Sequence, residues 1–65
     1  MFIREHTLPN QHVIRFSVRR DRLGWEVREE RDGKVVLSIN CTDWHRVERR
    51  LAYFEAEIRQ STTKL

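Results

Sequence analysis

The sequence predicts a small α+β domain, spanning residues 11–60, in which a three-stranded antiparallel β-meander packs on one C-terminal α-helix (βββα). Hydrophobic and polar residues alternate between His12 and Cys41, as in strands that bury one face. Asp32-Gly33 separates two of these alternating runs, and after Cys41 the hydrophobic residues recur at spacings of three and four, as in a helix. The sheet and the helix each have one apolar side, and both sides are buried when the helix lies across the sheet.

The first ten residues, 1–10, are predicted to form a flexible N-terminal arm. They show no sustained hydrophobic period, and Pro9 interrupts regular structure near their end. Phe2 and Ile3 leave open an alternative in which this segment packs as a short additional strand.

Alternation defines the first two strands. In the first, Ile14, Phe16 and Val18 fall on one side, with arginine and serine residues on the other. The polar segment RRDRLG supplies the turn that follows. In the second strand, Trp25 and Val27 alternate with charged residues, which places both hydrophobic side chains on the core side.

The third strand follows a tight hairpin turn. Asp32-Gly33 suits the positive φ angles that a type I′ turn requires. After this turn, Val35, Leu37 and Ile39 are expected to face the core, with the residues between them facing outward.

A helix is expected to begin after a cap at Thr42 or Asp43, whose side chain accepts a hydrogen bond from a free backbone amide. Good helix formers continue to about Gln60, and the final segment, 61–65, is expected to fray. Five hydrophobic residues form one stripe that packs on the sheet: Trp44, Val47, Leu51, Phe54 and Ile58.

Composition argues against several classes of protein. The single cysteine, Cys41, has no partner for an internal disulfide, and the sequence contains no CxxC or HxxxH spacing that would suit zinc. The longest apolar run, Val35 to Leu37, is far too short to cross a bilayer, and the first residues lack the pattern of a secretory signal. We therefore expect a cytoplasmic protein with no metal, cofactor or membrane partner.

His45 is the residue that most invites a catalytic interpretation, with Cys41 close to it in the sequence. A general base needs an orienting partner and a nucleophile within hydrogen-bond reach, and neither a GxSxG nor an HExxH motif is present. A chain of 8.0 kDa also has little room for an enclosed pocket. The sequence therefore predicts that the protein is not an enzyme.

A protein interface, with another protein or in a homodimer, is the preferred functional interpretation. By the 100° rule, His45 lies about 140° from the centre of the apolar stripe, and four further residues share its side of the helix. The alanines among them leave space for a partner. The predicted interface is His45, Arg49, Ala52, Tyr53 and Ala56. An ordinary solvated helix surface also accounts for these residues, and an open sheet edge is another possible place for a contact.

Nucleic-acid binding is the alternative function, suggested by a net charge of +3 and a pI of about 9.8. Three of the candidate arginines lie on the outer sheet face, and the helix supplies the others. The candidate residues are Arg15, Arg19, Arg28, Arg46 and Arg50. Glu26 and Glu30 share the sheet face with them, and these carboxylates would repel phosphates.

Two short motifs carry a resemblance that covers residues 12–60. A G-W-x-V strand (Gly24, Trp25, Val27) is followed by a short strand and a T-[DK]-x-x-x-[AV]-E helix opening (Thr42, Asp43, Val47, Glu48). This order resembles a group of short uncharacterised bacterial proteins. The resemblance implies the fold and a bacterial or phage setting, and it carries over no functional residue. The outline is also similar to integrase arm-binding domains, whose evenly basic sheet face this sequence lacks.

Overall fold

The computed structural model describes residues 2–63, which form a four-stranded antiparallel sheet with one helix across it. The strands lie in chain order, and the helix packs against the second, third and fourth. The elements are β1 Phe2–Thr7, β2 Val13–Asp21, β3 Gly24–Arg31, β4 Lys34–Cys41 and α1 Trp44–Thr63. The predicted α+β class, with an antiparallel sheet and a C-terminal helix, is confirmed. The predicted number of three strands is wrong.

The additional strand is β1, which lies within the segment predicted to be a flexible arm. It pairs antiparallel with β2 along its whole length, starting with Phe2 opposite Val18. Hydrophobic periodicity does not reveal this strand because two of its three helix-facing residues, Arg4 and His6, are polar. Met1, which belonged to the same prediction, lies outside the described residues.

Pro9 helps to form the hairpin between β1 and β2 instead of interrupting the sheet. It occupies the second position of a β-turn in which the Gln11 amide donates to the Leu8 carbonyl over 2.9 Å. Proline is favoured at this position because its fixed φ angle matches the turn. The Leu8 side chain is buried, so the turn is also anchored to the core.

Two tight turns connect the remaining strands. The predicted type I′ turn is confirmed, since Asp32 and Gly33 have φ angles of 53° and 81°. Between β2 and β3, Gly24 has a φ of 138° and lies directly against β4. A Cβ atom there would collide with the Cys41 carbonyl oxygen and lie 3.0 Å from the Thr42 Cα, so only glycine fits.

One hydrophobic core lies between the sheet and α1. The predicted helix-facing residues of β2 are confirmed, and the Phe16 and Phe54 rings pack with their centroids 5.4 Å apart. Leu51 and Ile58 pack against the edge of this core, as their spacing predicted. The buried residues are Leu8, Ile14, Phe16, Val18, Val27, Cys41, Val47 and Phe54.

Two residues predicted to face the core lie at the surface. Val35 is 54% exposed because the register between β3 and β4 shifts at Glu29/Glu30, which places Val35 opposite Glu30 on the outer face. Trp44 is 46% exposed because it begins the helix at the end of the sheet. It contacts the Trp25 ring at a centroid distance of 5.2 Å, so only part of its surface is covered.

The helix begins at the predicted cap and ends later than predicted. The Asp43 carboxylate accepts a hydrogen bond from the His45 amide over 3.0 Å, so Asp43 is the cap. Residues 61–63, expected to fray, continue the helix, whereas 64–65 lie outside the described residues. Among the helix residues whose burial is described, Phe54 is the last buried one, and Ile58 packs against the core one turn later.

Candidate functional site

A groove runs between the open edge of β4 and the neighbouring flank of α1. Its volume is about 380 Å³, and it opens to solvent along the sheet edge. We call it the basic groove. It is lined by Ile39 and Asn40 of β4 and by Arg46, Arg49, Arg50 and Tyr53 of α1.

The arginines of the basic groove differ in how they are neutralised. Arg50 forms an ion pair with Glu29 at 3.0 Å, and its guanidinium lies 5.6 Å from the centre of the Tyr53 ring. Arg46 and Arg49 are exposed, and neither forms an ion pair with any residue in the described part of the chain. The groove therefore carries two positive charges that its surroundings do not balance.

The helix sequence explains why these positive charges share one side. Arg46, Arg50 and Tyr53 recur at spacings of four and three, which sets them on the flank of α1 beside β4. Glu48 and Glu55 fall on the opposite flank by the same 100° rule, and Glu55 pairs there with Arg4 of β1 at 2.6 Å. The flank of α1 beside β4 is thus basic at the groove, and further along the same flank Glu57 pairs with Arg31 of β3.

The edge of β4 adds unpaired backbone groups to this positive charge. Within residues 2–63, only β3 pairs with β4, so the outward N–H and C=O groups of its other side face solvent. The strand is eight residues long and contains no proline, and its one charged residue is Lys34 at the start. Val35 and Val36 are exposed beside this edge. Edge strands with these properties readily pair with another chain, and the regular part of this edge runs from Leu37 to Cys41, beyond the irregularity opposite Glu29/Glu30.

Basic and acidic residues alternate on the outer face of the sheet, which was the predicted nucleic-acid surface. The strand register places Arg15 between Glu5 and Glu30. Glu26 lies 3.5 Å from Arg19 and 3.4 Å from Arg28. Three glutamates, Glu5, Glu26 and Glu30, thus share this face with the three arginines, although Arg15 itself forms no ion pair with any residue between 2 and 63. One of these, Glu5, comes from β1, which the sequence did not predict as a strand.

The predicted nucleic-acid residues do not form one surface. Arg15, Arg19 and Arg28 lie on the outer face, whereas Arg46 and Arg50 lie on the other side of the sheet with the helix. A single ligand on one face cannot contact both groups. The helix pair instead belongs to the basic groove.

The predicted protein interface is divided between two neighbouring surfaces. Arg49 and Tyr53 line the basic groove. His45 and Ala52 are exposed on the outer helix surface, and Ala56 is partly exposed. Sequence analysis treated these residues as one helix face. It did not anticipate that the β4 edge would turn part of that face into the wall of a groove.

Cys41 and His45 do not form a reactive pair. The Cys41 thiol is free and buried in the core. The His45 side chain is 85% exposed, and its Nδ1 lies 3.4 Å from the Glu48 carboxylate. The two side chains therefore face different environments, one the core and the other solvent.

Sequence analysis missed a link between His12 and Asp32. The Asp32 carboxylate accepts the Val13 backbone N–H over 2.9 Å and lies 2.6 Å from His12 Nδ1. The hydrogen bond from Val13, followed by that from His12, lowers the pKa of Asp32. The pair contacts no nucleophilic side chain among residues 2–63, so it acts as a clip between the β1–β2 and β3–β4 connections. Asp32 was assigned only a backbone role because its partners are distant in the sequence.

No three His, Cys, Asp or Glu side chains between residues 2 and 63 are grouped as ligands for a metal ion. No helix in the same range combines the length and apolar composition needed to cross a membrane. No protein-family model matches the chain, and searches among curated proteins and solved structures found no similar protein or fold. The resemblance to short bacterial proteins therefore stays a prediction.

Proposed function

We propose that this protein is a non-enzymatic protein-interaction module of the bacterial cytoplasm, and that its partner binds along the β4 edge beside the basic groove. The observation that supports this most strongly is the edge itself. An eight-residue strand has exposed valines and unpaired backbone groups on one side, with no proline or internal charge to block pairing.

Strand addition explains how such an edge binds a partner. An extended segment that lies beside β4 forms main-chain hydrogen bonds, which supply affinity with little dependence on sequence. Alternate side chains of that segment point toward α1, where the groove residues provide specificity. The groove is open along the edge, so a segment can enter without displacing any part of the fold.

Nucleic-acid binding by the outer sheet face is less well supported. Phosphate binding depends on positive charges that are free to replace counterions. The arginines of that face are matched by glutamates in the same rows of the sheet, so this free positive charge is small.

Photo-crosslinking in bacterial cells tests the proposal. A photoreactive residue replaces Val36, which is 63% exposed beside β4, and in a control chain it replaces Leu23, which is similarly exposed in the β2–β3 turn. We expect a discrete protein crosslink from position 36 that a second substitution, Ser38→Pro in the same edge, abolishes. Equal crosslinks from both positions, or none from position 36, would contradict binding at this edge.

A further inference from the structure

The charge of the basic groove indicates what kind of segment binds there. Resting on the proposed function, we propose that the partner is an acidic extended segment that adds to β4 as a fifth strand and places carboxylates against Arg46 and Arg49. The partner is identified by this chemistry: a strand-forming peptide with an acidic residue at every second position.

Charge complementarity is the first reason. Arg46 and Arg49 are exposed and form no ion pair in the described part of the chain, while Arg50 is already held by Glu29. A carboxylate that reaches the groove therefore finds two guanidinium groups with free donors. Arginine is suited to this role because its planar fork binds a carboxylate through two parallel hydrogen bonds.

The spacing of the arginines is the second reason. Side chains on one face of a strand repeat every two residues, about 6.7 Å. Arg46 and Arg49, the two arginines without an ion pair, are three residues apart on α1, a rise of about 4.5 Å, and their long side chains can span the difference from the strand repeat. Successive inward side chains of an added strand thus reach successive arginines, so alternating acidic residues match the groove better than one acidic residue does.

A second copy of this chain is a poor occupant through its own β4. Two β4 strands paired about a two-fold axis would bring both basic grooves to the same side of a continuous sheet. The groove arginines of the two copies would then repel each other. The helix-facing residues of β4 offer no carboxylate to offset this repulsion: Leu37, Ile39 and Cys41.

A second copy fits no better through β1, the other edge of the sheet. The helix-facing residues of β1 are Phe2, Arg4 and His6, and none of them supplies a carboxylate. The one acidic residue of β1, Glu5, faces the outer side of the sheet with Arg15. Neither edge of this chain therefore carries the acidic pattern that the groove fits.

A single-stranded nucleic acid carries negative charge, as an acidic peptide does, but it has no peptide backbone that can pair with β4. Its phosphates can contact Arg46 and Arg49, but it cannot continue the backbone ladder of β4 as a peptide does. Signals from the β4 amides therefore distinguish the two kinds of ligand.

The test is an NMR titration of the full-length 15N-labelled protein with synthetic eight-residue peptides. In one peptide glutamate alternates with threonine, in the second glutamine replaces glutamate, and in the third lysine replaces it. We expect the glutamate peptide to shift the amides of β4 and the N-terminal half of α1. The glutamine peptide should bind about tenfold more weakly, because two exposed ion pairs are lost.

Charge reversal in the protein provides the matched control. The double substitution Arg46→Glu with Arg49→Glu should abolish binding of the glutamate peptide and create binding of the lysine peptide. The corresponding change on the outer face, Arg15→Glu with Arg19→Glu, should leave the glutamate peptide bound. Binding of the lysine peptide by the reversed protein shows that loss of the glutamate peptide follows charge and not misfolding, and the neutral pair Arg46→Gln with Arg49→Gln should bind both peptides weakly.

Three results would overturn the inference, and they differ in what they leave standing. Equal binding of the glutamate and glutamine peptides at β4 would remove the acidic specificity but keep the proposed edge function. Absence of any β4 shift with all three peptides would contradict both. Tighter binding of an oligothymidine than of the glutamate peptide, with shifts confined to α1, would reassign the groove to nucleic acid.

Discussion

Arginines on the outer sheet face and in the basic groove have the same chemistry and opposite surroundings. On the sheet, the strand register sets each arginine beside a glutamate, as with Arg19 and Glu26. In the groove, Arg46 and Arg49 have no carboxylate partner among residues 2–63. The number of basic residues therefore does not locate a binding surface in this protein. The groove is distinguished by having unpaired arginines beside a free strand edge.

The arginines of the groove also reduce the stability of the helix on which they lie, whereas those of the sheet face lie beside glutamates. Arg46 and Arg50 are like charges four residues apart on a helix, which disfavours the helix by a few tenths of a kcal/mol. Arg46 also lies in the first turn, where the helix dipole favours negative charge and no acidic residue is present. These positive charges therefore do not stabilise the helix that carries them.

The largest expected change in stability comes from a substitution in the hydrophobic core, on which both regions depend. Phe16→Ala deletes a fully buried ring that packs on Phe54, which should cost about 3–5 kcal/mol. A domain of this size has only about that much stability, so the variant should be unfolded by circular dichroism at 25 °C. The matched control is Phe2→Ala, because the Phe2 ring contacts Phe16 but is itself exposed. This control should remain folded, and a folded Phe16→Ala protein would contradict the assigned core.

The second-largest expected effect compares how much two ion pairs contribute to stability. One is the ion pair of Arg50 in the groove, and the other is on the sheet face. Arg50→Gln removes the ion pair with Glu29, whose side chain is only 17% exposed and would be left without its charged partner. We expect the free energy of unfolding in urea to fall by about 1–2 kcal/mol. Arg28→Gln on the outer face should cost less than about 0.5 kcal/mol, since that pair is more exposed. Equal losses of unfolding free energy would contradict the view that the Arg50 ion pair contributes more to stability than the Arg28 ion pair.

The same substitution, arginine to glutamate, should change the free energy of unfolding in opposite directions in the two regions. Arg46→Glu removes a like-charge pair and places a carboxylate near the helix N-terminus, so it should raise the free energy of unfolding by about 0.5–1 kcal/mol. Arg19→Glu sets two glutamates side by side on the sheet and should lower it by a similar amount or less. Urea unfolding of both variants measures the comparison. A destabilised Arg46→Glu protein would mean that Arg46 has a structural role in the groove.

The smallest expected effect lies outside both regions, at the clip between the hairpins. The pKa of Asp32 is lowered in the folded protein, so its ionised carboxylate stabilises the fold at pH values above its ordinary pKa of 3.8. This contribution is lost as the pH falls through the lowered folded value. Asp32→Asn should therefore have a flatter dependence of stability on pH between about 5 and 2 than the parent chain. Parallel curves would rule out the clip as a source of acid sensitivity.

Sequence patterns predicted the parts of the fold that local periodicity controls. The alternation of Ile14, Phe16 and Val18 and the helical spacing of Val47 and Phe54 both describe buried faces, and the structure confirms them. These residues were predictable because each element buries its hydrophobic face whatever its partner is.

The remaining features depend on contacts between segments that are distant in the sequence. β1 was missed because Arg4 faces the helix, where Glu55 neutralises it, and no local pattern reveals that partner. The position of Val35 depends on a register shift at Glu29/Glu30 that alternation alone does not show. The basic groove exists only because β4 is an edge strand beside one flank of α1, so its arginines could be named but not assembled into a site.

Hydrogen exchange of the backbone amides tests the central claim most directly. With a saturating amount of the glutamate–threonine peptide, the outward amides of β4 should exchange at least about tenfold more slowly, because a new strand then accepts their hydrogen bonds. The amides of β1, at the other edge, should exchange at an unchanged rate. Equal slowing at both edges, or unchanged exchange in β4, would contradict the account that the free edge and its unpaired arginines form the binding site.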